Sequence, residues 1–344
     1  LKFHQPKIDI IFVGTSRGLE SELVPREGFR LEMLPVVPLS RKPSLNWFRF
    51  PFALLKSIFR TIKIIKKERI GVVVATGGYA AGPAILASWL TGRPLLLCEQ
   101  NSYPGLTSRV GSIFADIVCI GLSGSKQFFW KKSHIVETGN PVDAECSDKK
   151  QEQILEKFSL DSKKKILLIT GGSQGSMKIN KAVLEFIQTG GKPEEWSILW
   201  QTGKNKYYGI LAKLSKSYED VIIVPFITTM CEAFEIADLV VSRCGALSLS
   251  EIACYGIPAI LVPYPFAAGD HQKKNAEAFE KKGAAVIIQD DKLDGNEIAK
   301  VFMSITCDSN KLGEMSKGMK ELAKPEATNE IIKLIDGLGK NEEK

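Results

Sequence analysis

Short aliphatic runs punctuate the chain and alternate with longer stretches of helical period. The first series is 8–13 (IDIIFV), 71–75 (GVVVA), 94–98 (PLLLC), 116–120 (DIVCI) and 134–138. A second series is 165–170 (KILLIT), 197–201 (SILWQ), 221–225 (VIIVP), 238–242 (DLVVS), 258–263 (PAILVP) and 284–288 (AAVII). The runs are continuous rather than alternating, which predicts strands covered on both faces and therefore parallel strands layered with helices. Between the series, residues 143–164 are polar and charged, predicting a linker followed by a first helix. The pattern predicts two doubly wound α/β domains with a cleft between them. In such folds ligands sit beyond the carboxyl ends of the strands. A length of 344 residues suits two domains, each with its own core.

One stretch departs from this regularity. After Pro51, the residues Phe52, Leu55, Phe59 and Ile62 recur at helical spacing, with Lys56, Arg60, Lys63 and Lys67 in a neighbouring stripe and Trp47, Phe48 and Phe50 just before. Residues 41–70 hold nine of the basic side chains and one acid, Glu68, so they account for the whole +7 excess of the chain. Two readings stay open: a core-facing helix with a solvated basic face, or an interfacial segment that lies on anionic lipid and inserts its aromatic tip. Nucleic acid is disfavoured, because bulky aromatics ahead of a basic helix suit headgroups and acyl chains better than a phosphate track.

Composition narrows the class further. With 44% hydrophobic and 25% charged residues, the chain is neither disordered nor collagenous. No apolar run reaches the length of a membrane span, and no charged, apolar and small-residue order marks a secretory leader. The seven cysteines (98, 119, 146, 231, 244, 254, 307) lack C-x-x-C spacing and several lie in apolar runs. That predicts buried thiols in a reducing compartment rather than disulfides or a zinc site.

Candidate chemistry collects at the ends of the predicted strands. Gly171-Gly172-Ser173-Gln174-Gly175 follows KILLIT and precedes a helical stretch, so bare N–H groups can approach an anion there. It lacks the G-K-[ST] ending of a P-loop, and a plain tight turn is the other reading. Arg243-Cys244-Gly245-Ala246-Leu247-Ser248 follows DLVVS, with Gly245 opening a helix that Gly256 and Pro258 end. A diphosphate at that helix start puts a ribose near Glu251, whose carboxylate can accept from two vicinal hydroxyls; an ordinary surface Glu is the alternative. After PAILVP, His271, Gln272 and Asn275 fall on adjoining turns if a helix begins near Asp270, where they can read sugar hydroxyls. In the first half, Thr76-Gly77-Gly78-Tyr79 and Glu99-Gln100-Asn101 end two strands and suit an acceptor with hydroxyls and a phosphate. No Asp-x-Asp pair occurs and no Ser/His/Asp arrangement stands out, so neither a metal-chelated diphosphate of that type nor a serine nucleophile is supported.

Taken in order, GTSRGLESELVP (14–25), TGGYAAGP (76–83), EQN…PGLT (99–107), GNPV (139–142), GGSQG (171–175), PFITTM (225–230), RCGALSLSE (243–251) and DHQKKNA (270–276) closely resemble the MurG family of bacterial UDP-GlcNAc transferases of peptidoglycan synthesis. The resemblance spans nearly the whole chain. It implies two Rossmann-like domains in the GT-B arrangement and transfer of GlcNAc from UDP-GlcNAc to the 4-hydroxyl of MurNAc in lipid I, with inversion, giving lipid II. It also implies action at the cytoplasmic face of the inner membrane, anionic lipids as partners, and no cofactor or metal. Other cell-wall synthesis enzymes stay open as partners.

Carried over by residue, the Ile227 backbone holds the uracil with Phe226 and Met230 around it. Glu251 binds the ribose, and Ser173, Gln174 and the Ala246–Ser248 helix start hold the diphosphate. His271, Gln272 and Asn275 contact the donor sugar, while Tyr79, Gln100 and Asn101 belong to the acceptor side. Trp47, Phe48, Phe50, Phe52, Lys56, Arg60 and Lys63 face the membrane. The expected division is 1–142 for the acceptor and membrane domain, 143–164 for the linker and first helix, 165–312 for the UDP-GlcNAc domain, and 313–344 for helices packing back on the first domain.

The family opens with a strand and a Gly-rich loop ending in His, whereas here the first strand matches the family's second and His4 does not match that His. A central strand missing from a doubly wound sheet leaves unsatisfied backbone groups. A truncated or misassigned start is therefore expected, against an impaired or repacked chain. Cys98, Ser108 and Asp143 replace the family's usual His, Asn and Arg. Glu99 is then the one obvious carboxylate near the acceptor able to act as base. The competing functions are another GT-B lipid glycosyltransferase and a UDP-sugar-binding form impaired in catalysis.

Overall fold

The computed structural model describes residues 8–16, 18, 20–37, 46–130, 132–142, 150–214, 218, 220–308 and 310–340, the side chains of 46–48 excepted. His4, Asp143, Cys146 and the linker residues 143–149 lie outside these, as do the side chains of Trp47 and Phe48.

The chain forms two units, one of residues 1–100, 104–138 and 326–344, the other of 101–103 and 139–325. The first runs β1 (Ile11–Gly14), α1 (Glu20–Arg26), β2 (Arg30–Met33), α2 (Asn46–Lys67), β3 (Val73–Ala75), α3 (Gly78–Thr91), β4 (Leu95–Glu99), α4 (Leu106–Gly111), β5 (Ile117–Ile120) and β6 (Ile135–Val136). β1 and β2 pair in parallel, and β3-β4-β5-β6 form a separate parallel sheet. Among the described residues no strand bridges the two. β4 and β5 are buried along their whole length, as their unbroken aliphatic runs require.

The helix α2 begins at Asn46 and carries Pro51 inside it, earlier than the periodicity predicts. Its buried side is not the Phe52–Leu55–Phe59 stripe. Ser57, Ile58, Thr61 and Ile65 are buried, and Phe52 (77% exposed), Leu55 (53%) and Phe59 (68%) face outward. The helix is core-facing through a different stripe, in which two hydroxyls pack beside Ile58 and Ile65. Ser57 Oγ donates to the Ala53 carbonyl at 2.7 Å and Thr61 Oγ1 to the Ser57 carbonyl at 2.9 Å, so neither is buried unpaired. Lys56, Arg60 and Lys63 are exposed, and Arg60 reaches Glu32 at 3.4 Å. Further exposed apolar side chains of this unit are Trp89, Leu90, Leu106, Val110, Ile113 and Trp130. No helix among the described residues is long and apolar enough to cross a membrane.

The second unit runs α5 (Gln151–Lys157), β7 (Lys165–Thr170), α6 (Met177–Gln188), β8 (Trp196–Gln201), α7 (Tyr207–Leu211), β9 (Val221–Val224), α8 (Met230–Ile236), β10 (Leu239–Ser242), α9 (Ala246–Tyr255), β11 (Ala259–Leu261), α10 (His271–Glu280), β12 (Ala285–Ile287), α11 (Gly295–Thr306) and α12 (Lys311–Leu322). All six strands are parallel in the order β12-β11-β10-β7-β8-β9, so the order reverses between β7 and β10. That reversal opens a crevice at the carboxyl ends of the two strands. Beneath it Trp196, Trp200, Phe186 and Phe302 are fully buried, with Trp196 edge-on to Phe302 at 5.0 Å.

The last helix, α13 (Ala327–Lys340), belongs to the first unit, where Ile331 and Ile335 cover Leu96, Cys98, Ile117 and Cys119. α12 lies in the second unit beside α9, so the return begins at residue 326 rather than 313. Cys98, Cys119, Cys244, Cys254 and Cys307 are thiols, and burial pushes the Cys244 thiol well above its ordinary range. Cys231 is disulfide-bonded, against the expectation of thiols throughout. Linear spacing does not reveal which cysteines the fold brings together.

Candidate active site

The crevice at the β7–β10 reversal is a cavity of about 760 Å³ in the second unit. Its floor is the loop after β7. Gly171 lies so close to the Ser176 backbone that no Cβ fits. Gly175 has φ +69 and Gly203 φ +91, and a Cβ on either would overlap the other strand's loop, at the Thr202 and Gln174 carbonyls respectively. The GGSQG turn is therefore glycine-rich so that two stretches of backbone can touch. Ser173 lines the cavity, whereas Gln174 is not among the lining residues, and its carbonyl accepts from Lys206 Nζ at 2.7 Å.

Gln201, 1% exposed at the end of β8, ties this floor to the far wall. Its Nε2 donates to Thr170 Oγ1 at 3.2 Å and the Gly172 carbonyl at 3.1 Å. Its Oε1 accepts the Ile227 N–H at 2.7 Å. The amide of Ile227 is thus already engaged. Phe226 and Met230 line the same wall, with Lys204 Nζ 5.2 Å from the Phe226 ring centre.

Opposite, α9 opens at Gly245, which has no side chain to cap the first-turn N–H groups. Gly245, Ser248 and Glu251 line the cavity. Ala246 is buried and Leu247 is 47% exposed on the same turn. Ser250 Oγ accepts from Asn140 Nδ2 at 2.9 Å, so the GNPV segment braces this helix. α6 starts at Ser176, whose Oγ accepts the Ile179 N–H and a 2.8 Å bond from Arg243 Nη2. Arg243 also pairs with Asp290 at 2.6 Å and donates to the Val262 and Pro263 carbonyls at 3.2 Å each.

At the remaining wall, α10 starts at His271 as predicted, preceded by Asp270 at φ 55. Gln272 lines the cavity, its Oε1 accepting the Cys244 N–H at 3.2 Å and the Tyr264 N–H at 2.9 Å. His271 Nδ1 lies 2.7 Å from the Ala268 carbonyl. Asn275 differs from the expected sugar contact: it is fully buried, and its amide bonds Ser102, Asn101 and Cys244.

The acceptor-side residues divide. Glu99, Gln100 and Tyr79 lie in the first unit, Asn101 in the second. Glu99 is 4% exposed, its Oε2 accepting the Gly105 N–H at 3.3 Å. Gln100 Nε2 donates to the Thr76 carbonyl at 3.3 Å. Tyr79 OH stands 3.4 Å from Thr15 Oγ1, which donates at 3.0 Å to Glu20. The Thr15 backbone N–H also bonds Glu20 and holds that carboxyl below its usual range.

The cavity residues that the sequence does not single out include Gln201, Arg243 and Asp290. Arg243 directly follows β10, two residues before Gly245, and a cation at that place is its signal in the sequence. Gln201 ends an aliphatic run, where a lone carboxamide is a weak but legible sign of a buried link.

Residues 166–331 match the glycosyltransferase family 28 C-terminal domain and residues 1–120 the N-terminal domain of that family. A UDP-N-acetylglucosamine–N-acetylmuramyl-(pentapeptide) pyrophosphoryl-undecaprenol N-acetylglucosamine transferase of Desulforamulus reducens is 39% identical over 336 residues, 96% of this chain and 90% of that protein. A protein of the same name from Flavobacterium psychrophilum is 37% identical, covering 98% and 92%. The crystal structure of Acinetobacter baumannii MurG superposes with a TM-score of 0.79 at 27% identity, covering 98% of this chain and 93% of that one. Each unit is a parallel-sheet Rossmann-like domain of the GT-B class. The chain belongs to glycosyltransferase family 28, among the UDP-N-acetylglucosamine–N-acetylmuramyl-(pentapeptide) pyrophosphoryl-undecaprenol N-acetylglucosamine transferases.

Proposed function

We propose that the chain moves GlcNAc from UDP-GlcNAc to the 4-hydroxyl of the MurNAc in a lipid-linked MurNAc-pentapeptide, lipid I, with inversion, giving lipid II. The observation that carries this reading is the juxtaposition in one cavity of an uncapped helix start at Gly245 and a carboxylate, Glu251, almost two turns further on. The first-turn amides of α9, with Ser173 and Ser248, receive the diphosphate, and Glu251 accepts from the ribose hydroxyls. Phe226, Ile227 and Met230 flank the base, while His271 and Gln272 meet the donor sugar. As the glycosidic bond breaks, negative charge grows on the diphosphate and the fixed N–H dipoles stabilise it. Tyr79, Gln100 and Asn101 serve the acceptor, and Glu99 takes the proton of the attacking hydroxyl.

The direct test is transfer of labelled GlcNAc from UDP-GlcNAc to lipid I by the purified chain, with diacylglycerol as the contrasting acceptor. Glu251→Ala is expected to raise the donor KM about thirtyfold, the worth of a charged hydrogen-bond pair, and to leave the acceptor KM in place. An unchanged donor KM removes Glu251 from the ribose.

The same reading places the enzyme on the cytoplasmic face of the inner membrane through α2. Phe52, Leu55 and Phe59 offer an apolar face beside Lys56, Arg60 and Lys63, with Phe50 half-buried at its start. Burying a Phe is worth about 1.5–3 kcal/mol and each cation near an anionic surface about 1 kcal/mol. Phe52→Ser combined with Phe59→Ser is expected to weaken sedimentation with phosphatidylglycerol vesicles at least about tenfold. Equal binding by parent and variant would remove α2 from the membrane.

A further inference from the structure

Asn275 is a fully engaged side chain near the donor cavity. It is 0% exposed, its Oδ1 accepts the Ser102 N–H at 2.8 Å, and its Nδ2 donates to the Cys244 carbonyl and to Asn101 Oδ1, each at 3.1 Å. A carboxamide has two hydrogens to give, and both are spent. For this amide to donate to any other group, one of these bonds would have to break inside the protein, where an orphaned partner is costly. The turn it grips is held a second way. Lys274 Nζ lies 3.2 Å from the centre of the Tyr103 ring, and Gly269, at φ +64, leaves just enough room for that ring. Residues 101–103 therefore pack within the second unit, although β4, directly before them, belongs to the first. Cys244, the other partner, precedes Gly245, where α9 begins.

We infer that Asn275 is a positioning residue that fastens the Asn101–Tyr103 turn to the loop opening α9, so that one buried amide sets an acceptor-side carboxamide relative to the amides facing the diphosphate. The inference deepens the transfer reaction proposed above and rests on it. The N–H of Cys244 is held independently by Gln272, so the diphosphate end keeps its own support when Asn275 is lost.

The test uses the full chain with Asn275→Ala, Asn101→Ala and the double variant, assayed with UDP-GlcNAc and lipid I and followed by hydrogen exchange at Ser102. Asn275→Ala is expected to lower kcat/KM for lipid I about tenfold, the equivalent of one net hydrogen bond, with UDP affinity within about twofold of the parent. Asn101→Ala, at a half-buried position, removes one bond with little risk to folding and is expected to cost the acceptor about threefold. The double variant should be no worse than Asn275→Ala, since the two share that bond. Exchange at the Ser102 amide should accelerate in Asn275→Ala. A raised donor KM with an unchanged acceptor KM would return Asn275 to the sugar. Unchanged exchange at Ser102 would refute the fastening even if the parent chain transferred no GlcNAc, so failure of the tether and failure of the reaction are read separately.

Discussion

Gly175→Ala is expected to abolish useful nucleotide binding while leaving a folded protein. The residue has φ +69, a region that costs a residue with a side chain about 1–2 kcal/mol. The greater penalty is steric. The new methyl would overlap the carbonyl of Thr202, with Gly203 Cα 3.0 Å away, and both neighbours are backbone. Neither can rotate aside as a side chain would. The 171–175 turn must move bodily, and on the proposed function two hydrogen bonds to the diphosphate lost with it, at about 1.5–3 kcal/mol each, amount to at least about a hundredfold. We expect UDP affinity, measured by calorimetry, to fall at least about a hundredfold. Melting should come a few degrees earlier, since each kcal/mol shifts a unit of this size by about 2–4 °C. Gly190→Ala is the control: φ is +74 but nothing lies within 4 Å. It should show the melting shift and keep UDP affinity. If Gly175→Ala bound UDP as the parent does, the phosphate would not rest on this turn.

Gln201→Leu should cost both donor binding and stability. The side chain is nearly isosteric, so packing survives, but three bonds vanish at once. The Ile227 N–H and the Gly172 carbonyl are left without that partner in a buried site, each costing about 1–3 kcal/mol. One amide joins the 171–175 turn to the Phe226–Ile227 wall, so on the proposed function both halves of the nucleotide lose register together. The donor KM should rise at least about tenfold and the melting temperature fall by about 5 °C or more. A useful discriminator is uridine alone: it should lose affinity in Gln201→Leu, because the base wall moves. Unchanged uridine binding and melting would reduce Gln201 to a passive core residue.

Much of the fold was legible because parallel strands covered on both faces leave unbroken aliphatic runs, as in Leu95–Cys98, Ile117–Ile120 and Ile166–Ile169. β2 escaped notice because RLEM alternates charged and apolar residues on a half-covered pair. Hydropathy left the Phe52–Phe59 stripe of α2 open to core or lipid and did not show the buried face, because Ser57 and Thr61 hide their hydroxyls in the helix's own carbonyls. Of the site, the strand-end glycines, Glu251 and Gln272 were readable from residue type and position. Asn275 was assigned to the sugar because a sequence shows an amide but not whether its hydrogens are already given. Arg243, Asp290 and Gln201 owe their roles to neighbours 19 or more residues away, and no local pattern carries that information.

The bare start of α9 has a thermodynamic corollary. A serine or aspartate in place of Gly245 would satisfy the rod's leading amides from within, and the folded state would be sturdier on its own. With glycine there, that increment of cohesion is deferred until an anion docks, so occupancy and heat resistance rise together. On the proposed function that anion is the donor's diphosphate, so a filled site is expected to melt later than an empty one.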